Sequence, residues 1–437
     1  MPFYFVVSNK ICTFAAKSKY MEKELFRTII AENQEYIGRI PLVQRPLDLE
    51  EYGNYVFVGV RQAGKSYLLY QRIQQLLANG VEIENIVYVN FDDERLQGMT
   101  VTDFDLILQA YHSMYDSQPI FFFDEIQNVE GWANFARRLA NQKHRVYITG
   151  SNAKMLSRDI ETVLGGRYLD ISVFPYSFSE YLKAVGVSVS KNWQYGRKAN
   201  ELQRHFRTYF DWGGFPELVH FQEKRVWLNS LYNRIFFNDL VVRHKVKNED
   251  ALRLCVRRLA ESVKQPCSLN RLSNLIKATG TPCSPSTVME YVRYLQESCL
   301  LISIDNYVSK FVEKETIKKH YFVDNGLLHL FINNPNTSLL ENLCTITLYK
   351  KYGKGLYYYN RNIEVDFYVP DEGLAVQASY QMSDEETIER EAKALVTLHG
   401  LYPLKRAMII TYEDEGEIVR DGLKIEIRPA WKWVMEG

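Results

Sequence analysis

The stretch Tyr55-Val56-Phe57-Val58-Gly59-Val60-Arg61-Gln62-Ala63-Gly64-Lys65-Ser66 decides the fold. Its first four residues are apolar, a loop bounded by Gly59 and Gly64 follows, and Tyr67 to Leu77 is amphipathic. The predicted order is strand, glycine loop, helix. A loop in this place turns the backbone N–H groups of Gly59, Val60, Arg61, Gln62, Ala63 and Gly64, with the positive end of the helix dipole, toward one spot where a polyphosphate can lie. Lys65 is then expected to reach the β and γ phosphates and Ser66 to place its hydroxyl on Mg²⁺, so ATP and Mg²⁺ are the expected ligands.

A second signal lies downstream. Pro119-Ile120-Phe121-Phe122-Phe123-Asp124-Glu125 is an apolar run closed by two carboxylates, the pattern of a buried parallel strand with acids at its C-terminal edge. Ligands of open α/β sheets bind at that edge. Asp124 is the candidate for the second shell of the Mg²⁺, and Glu125 for orienting or deprotonating the attacking water. An acidic pair alone is more often a solvated loop start; beside the glycine loop the chemical reading gains.

At 437 residues the chain exceeds one hydrophobic core, and roughly two to four domains are expected. No run approaches the roughly 18 apolar residues of a membrane span. Met1 to Tyr20 lacks a secretory pattern and is expected to be a disordered extension or a misplaced start, preceding a better helix at Lys23 to Tyr36. Cysteines 12, 255, 267, 283, 299 and 344 show no metal-site spacing and are expected to be reduced thiols of a cytoplasmic protein. The formal net charge of zero hides a basic middle: Arg225 to Lys277 holds eleven Lys and Arg against four Asp and Glu. Such a middle can serve nucleic acid, an acidic protein face or the chain's own acidic end.

Strands are predicted at Tyr55 to Val58, Ile86 to Phe91, Ile120 to Phe123, Val146 to Thr149 and Leu169 to Phe174, with helices between them, so residues 21–180 are read as one parallel α/β unit. Residues 181–248 are read as a helical lid or connector interrupted by Asp211-Trp212-Gly213-Gly214-Phe215-Pro216. Helices at Ala251 to Val263 and Leu269 to Ala278, a third capped by Ser284 with Pro285 in its first turn, and strands at Leu300 to Ile304 and His320 to Val323 form a winged-helix pattern over 249–325. Residues 335–437 mix strands with a long helix from Asp384 to His399.

Arg145-Val146-Tyr147-Ile148-Thr149-Gly150-Ser151-Asn152 is another buried strand ending in small polar residues. With Gly59 to Ser66, Phe121 to Glu125, Leu164-Gly165-Gly166-Arg167 and Asp211 to Glu217, it resembles the AAA-type ATP-binding proteins of bacteria and archaea, in which a C-terminal domain of uncharacterised function follows the ATPase core. The resemblance covers most of the chain from about Met21. It implies a P-loop NTPase sheet in which the Ser151-Asn152 strand separates the acidic strand from the phosphate-loop strand. Asn152 would then hydrogen-bond the γ-phosphate or the attacking water; a cap on the next helix is the competing role. Arg167 is the candidate arginine for transition-state charge, from the same subunit or from a neighbour in a homo-oligomer, and a surface ion pair is its alternative.

The winged-helix segment raises the question of DNA. Its third helix carries Arg293 against Glu290 and Glu297, so groove reading is not expected; Arg253, Arg257, Arg258, Lys264, Arg271 and Lys277 could grip a backbone without specificity. Leu340-Glu341, Asn362 to Asp366 and Leu374 to Ser379 resemble the core of a restriction-endonuclease-like fold of the PD-(D/E)XK kind. Asp366 fills the first acidic place, but Gln377 and Ser379 stand where Glu and Lys are needed, so metal-dependent cleavage is not expected. The expected protein is an ATP-hydrolysing switch acting on an unknown protein or DNA partner. The alternative is a DNA-associated or protein-interaction module whose nucleotide site is structural and slow.

Overall fold

The apolar segments become the parallel strands β1 Tyr55–Gly59, β2 Ile86–Asn90, β3 Ile120–Asp124, β4 Arg145–Gly150 and β5 Leu169–Val173. The computed structural model describes residues 21–156, 158–189, 191–382 and 385–436; the expected extension over 1–20 and Cys12 lie outside them. The strand order is β2-β3-β4-β1-β5, with every pair parallel. β4 thus separates the acid-bearing β3 from β1, as the resemblance implied. β1 and β3 are buried throughout because helices cover both faces, which explains their unbroken apolar sequences. The edge strand β5 is exposed over most of its length.

The helix Lys23–Tyr36 lies where its sequence placed it, and the helix after the glycine loop spans Lys65–Ala78. Helices Phe178–Ala184, Gly196–Trp212 and Lys224–Arg234 follow the sheet, and the last continues as a π-helical segment, Ile235–Val242. Next come Glu249–Glu261, Leu269–Lys277 and Pro285–Glu297, whose capping side chains Asn248, Ser268 and Ser284 accept N–H hydrogen bonds from their first turns.

The ribbon strands are β7 Leu301–Asn306 and β8 Ile317–Phe322, antiparallel, with the short β6 Cys267–Ser268 against β8. They are not a free wing. β7 also pairs in parallel with β9 Tyr357–Asn360, and the sheet continues through β10 Glu364–Val369, β11 Leu374–Ala378, β12 Arg406–Thr411, β13 Gly416–Arg420 and β14 Leu423–Pro429. The result is one mixed nine-stranded sheet, β13-β14-β12-β11-β10-β9-β7-β8-β6, which crosses the gap expected between residues 325 and 335.

Sequence periodicity gives no sign of the helix Asn336–Tyr352. Its residues Leu339 to Ile346 are all buried, so it lacks the polar face that makes a helical stripe visible. The later helix spans Glu385–Leu401, and Asp384 lies outside the described residues. One apolar core runs from Phe57 through Phe206, Leu252 and Leu343 to Trp431, joining both sheets; a second, with Phe26, Phe121 and Phe135, closes the other face of the parallel sheet.

The two halves meet at Asp211-Trp212-Gly213-Gly214-Phe215-Pro216. The buried Asp324 carboxylate accepts from the Gly214 N–H at 2.7 Å and the Gly326 N–H at 2.8 Å, while the Gly214 carbonyl accepts from Tyr176 N–H at 2.7 Å. Burial pushes the Asp324 carboxyl up to about 6, against the pull of the N–H groups of Gly214, Gly326 and Leu327. A Cβ at Gly214 would overlap the Tyr176 carbonyl. Gly214→Ala should therefore destabilise the protein by about 1–3 kcal/mol or more, the usual cost of overpacking, read as a lower denaturation midpoint.

Candidate functional site

The glycine loop closes over its own lysine. Gly59 must lack a side chain, because a Cβ would overlap the Val173 carbonyl of β5. Gln62 and Gly64 adopt φ of 61° and 93°, the left-handed turn that feeds the chain into the helix Lys65–Ala78. Lys65, only 4% exposed, donates from Nζ to the carbonyls of Gly59 and Val60, each at 3.2 Å, and pairs with Glu125 Oε1 at 3.3 Å. From outside, Arg45 braces the loop: Nη1 donates to the Ala63 carbonyl at 3.1 Å and Nε pairs with Glu180 at 2.8 Å.

The acids stand beside this loop because β3 and β4 end together. Asp124, 1% exposed, accepts from Tyr88 Oη at 2.7 Å, from the Thr149 hydroxyl and from the Ser66 hydroxyl. Burial, then the neighbouring Glu125, pushes the Asp124 carboxyl up, and those three hydroxyls pull it back. Glu125 has φ of 52°, and its N–H donates to Thr149 Oγ1 at 2.9 Å. Burial raises its carboxyl, but Lys65, the Gln127 amide at 2.5 Å and Ser151, whose N–H donates at 3.2 Å, together hold it below the usual carboxylate range. Glu125 therefore stays ionised at neutral pH beside the lysine.

The contact of Ser66 with Asp124 brings one hydroxyl and one carboxylate oxygen together, a donor set suited to a hard cation such as Mg²⁺. Among the described residues no three His, Cys, Asp or Glu side chains are arranged to hold a metal, so such an ion would need phosphate and water oxygens to complete its shell.

Asn152 stands between β4 and the 3₁₀ helix Ala153–Leu156, one residue beyond Ser151. Arg167 is not brought to this site. It precedes β5, whose first residue pairs with Tyr55 at the start of β1, whereas the loop leaves the other end of β1; its Nη1 donates to the Gly165 carbonyl at 3.0 Å. Action on its own chain's phosphates is thus ruled out by strand direction.

The arginine that does reach the loop is Arg61, which sequence reasoning assigned only a backbone role. It makes a two-pronged pair, 2.9 Å on each prong, with Asp239 of the π-helical segment, and Arg243 adds a third contact at 2.9 Å. Asp239 is 2% exposed. Gln62 also reaches Glu217 at 3.5 Å. Thr149 lay inside a quoted strand, but its role depends on the register with Asp124; Asp239, Tyr88 and Arg45 carry no sequence signal.

The parallel sheet, the glycine loop and the acids beside it define a P-loop NTPase, and residues 52–182 match the family model described as an AAA domain; residues 203–338 match a domain of unknown function. The chain belongs to the family of the uncharacterized protein MJ1544 of Methanocaldococcus jannaschii, with which it is 31% identical across 94% of this chain and 95% of that protein. An uncharacterized protein of Haemophilus influenzae is 30% identical over 86% of this chain and 93% of its own length. The Walker-type ATPase of Pyrococcus abyssi superposes with a TM-score of 0.41 at 12% identity, covering 72% of this chain and 97% of that one. No helix among the described residues is long and apolar enough to cross a membrane.

Lys65→Ala removes the ammonium that touches both the loop carbonyls and Glu125. Equilibrium dialysis should find ATP retention abolished in this variant, and retention equal to wild type would remove the lysine from the site.

Proposed function

We propose that this protein binds and hydrolyses ATP, and that its nucleotide state changes how the rear half engages a protein client. The observation that carries the reading is the meeting of Lys65, Ser66, Asp124 and Glu125 at the C-terminal end of the parallel sheet. Loop N–H groups and Lys65 would hold the β and γ phosphates, and Ser66 with Asp124 would hold Mg²⁺. Mg²⁺, when bound, neutralises phosphate charge and polarises the γ-phosphoryl group. Glu125 orients a water whose oxygen bonds to the γ phosphorus as the bond to the β–γ bridging oxygen breaks. The water's proton passes to the carboxylate and then to the phosphate products. Asn152 would hydrogen-bond that water or the γ-phosphate, and Arg167 would act only on the nucleotide of a neighbouring copy.

The route to the rear half is Arg61–Asp239–Arg243. An arriving γ-phosphate competes with Asp239 for the guanidinium of Arg61, and loss of that two-pronged pair frees the π-helical segment. We read 249–325 as a winged helix built into the larger sheet and 335–437 as a nuclease-like module that docks partners without cutting. Half of the basic residues proposed for DNA have partners within the chain: Arg253 lies over the Phe236 ring at 4.0 Å, Arg258 pairs with Glu261 at 2.7 Å, and Lys264 reaches Thr337 at 3.0 Å. A slowly hydrolysing, structural nucleotide site is the second reading, favoured by the lowered basicity of Glu125.

Two measurements separate these readings. Glu125→Gln should keep ATP bound while turnover falls about 10²- to 10⁴-fold in a coupled assay, and wild-type turnover in the variant would assign the water to another group. In the wild type, ATP should alter limited proteolysis around residues 213–248. Asp239→Asn should give one pattern with and without ATP, and should cost about 3–5 kcal/mol of stability, as expected when one partner of a buried ion pair is removed. A nucleotide-dependent pattern that survives in this variant would exclude Asp239 as the coupling.

A further inference from the structure

A buried lysine lies at the focus of the nuclease-like acids. Lys319 of β8 is fully buried, and its Nζ sits 3.2 Å from Glu341 Oε1, 3.0 Å from Glu364 Oε1 and 3.0 Å from Asp366 Oδ1. An ammonium has three N–H donors, and here three carboxylates face it. Tyr321 Oη donates to the same Glu341 oxygen, Oε1, at 2.7 Å. The Ala378 N–H holds the other oxygen of Asp366 at 3.1 Å. Gln377 does not face the ammonium: its amide oxygen accepts from the Asp366 N–H at 2.7 Å and its amide nitrogen donates to the Glu364 carbonyl at 3.2 Å, pinning β10.

We propose that Lys319 is a built-in cation that takes the place of a divalent metal among Glu341, Glu364 and Asp366, closing this site to metal and tying the β7–β8 ribbon to the rear sheet. The charge arithmetic supports the substitution. Relative to a site with a carboxylate at position 377, Gln377 removes one negative charge and Lys319 adds one positive charge, the same net change as one divalent ion. Distance agrees: oxygens about 3 Å from a centre suit N–H donors, whereas Mg²⁺ requires about 2.0–2.1 Å. Burial excludes the alternative of a working nuclease lysine. With no exposed surface and the Tyr358 ring 5.6 Å away, the ammonium cannot reach a water on a phosphodiester. The inference rests on the nuclease-like reading for where a metal would be expected, and is independent of ATP hydrolysis.

The test uses full-length protein without nucleotide, with Mn²⁺ as the probe. Wild type and Lys319→Arg should take up no Mn²⁺ beyond that of Asp366→Asn and show the same melting temperature with Mn²⁺ or chelator. Lys319→Ala should gain Mn²⁺ uptake and a melting temperature that rises with Mn²⁺, both lost in Lys319→Ala/Asp366→Asn. Mn²⁺ uptake or DNA nicking by wild type that disappears in Asp366→Asn would overturn the proposal, as would a folded Lys319→Ala variant indifferent to Mn²⁺. Should Lys319→Ala fail to fold even with Mn²⁺, wild type against Asp366→Asn decides. Normal ATP turnover with Mn²⁺ uptake by wild type at Asp366 would sink this inference alone.

Discussion

The relation between the two halves depends on one buried carboxylate. A charge taken out of water must find hydrogen-bond donors, and Asp324 takes them from the N–H groups of Gly214 and Gly326, on segments from either side of the basic middle. Only glycine fits at 213, where φ is 79° and a Cβ would overlap the Asp324 carboxylate. The loop so fixed carries Pro216 to Gly64 and Glu217 to Gln62, so the phosphate loop is built against a segment the rear half holds in place. Nucleotide chemistry and rear-half geometry share that short path.

What was legible in the sequence follows from which forces act locally. Strands β1 to β4 could be placed because a parallel sheet covered on both faces needs continuous apolar runs, and Ser284-Pro285 marked a helix start because cap and first turn are adjacent in the chain. Lys65, Ser66, Asp124 and Glu125 were readable as types at fixed spacings, and register then joined them. The helix Asn336–Tyr352 was not readable, since burial on all sides erases its periodicity. The Gly166-Arg167 dipeptide does not say which end of a strand it occupies, so the choice between its own chain and a neighbour waited on the register of β5 with β1. Lys319 and Asp239 find their partners only through tertiary contacts, so no spacing rule could reach them.

Two acidic clusters in one chain take different forms because their cations differ in freedom. Beside the glycine loop, Lys65 shares its ammonium between two carbonyls and Glu125, bonds that phosphate oxygens can replace without moving the backbone. In the rear sheet, the ammonium of Lys319 is saturated by carboxylates, and Glu341 is pushed up to about 8 by burial and by Asp366 despite the lysine. The first cluster can exchange partners, while the second is a closed tie.

The same accounting bears on what the rear half touches. In the helix Pro285–Glu297, Arg293 lies 3.7 Å from Glu297, and His244 approaches the same carboxylate at 3.7 Å, so the arginine of that helix is engaged within the chain. Of the basic residues in the middle of the chain singled out for a phosphate backbone, Arg257, Lys264, Arg271 and Lys277 are exposed. Even if all four met phosphates, the dependence of log affinity on log salt would have a slope of about −3.6, a contact that fades at physiological ionic strength. Arg253 and Arg258, by contrast, are held by the Phe236 ring and by Glu261 of the chain itself, which leaves them less free to meet a phosphate.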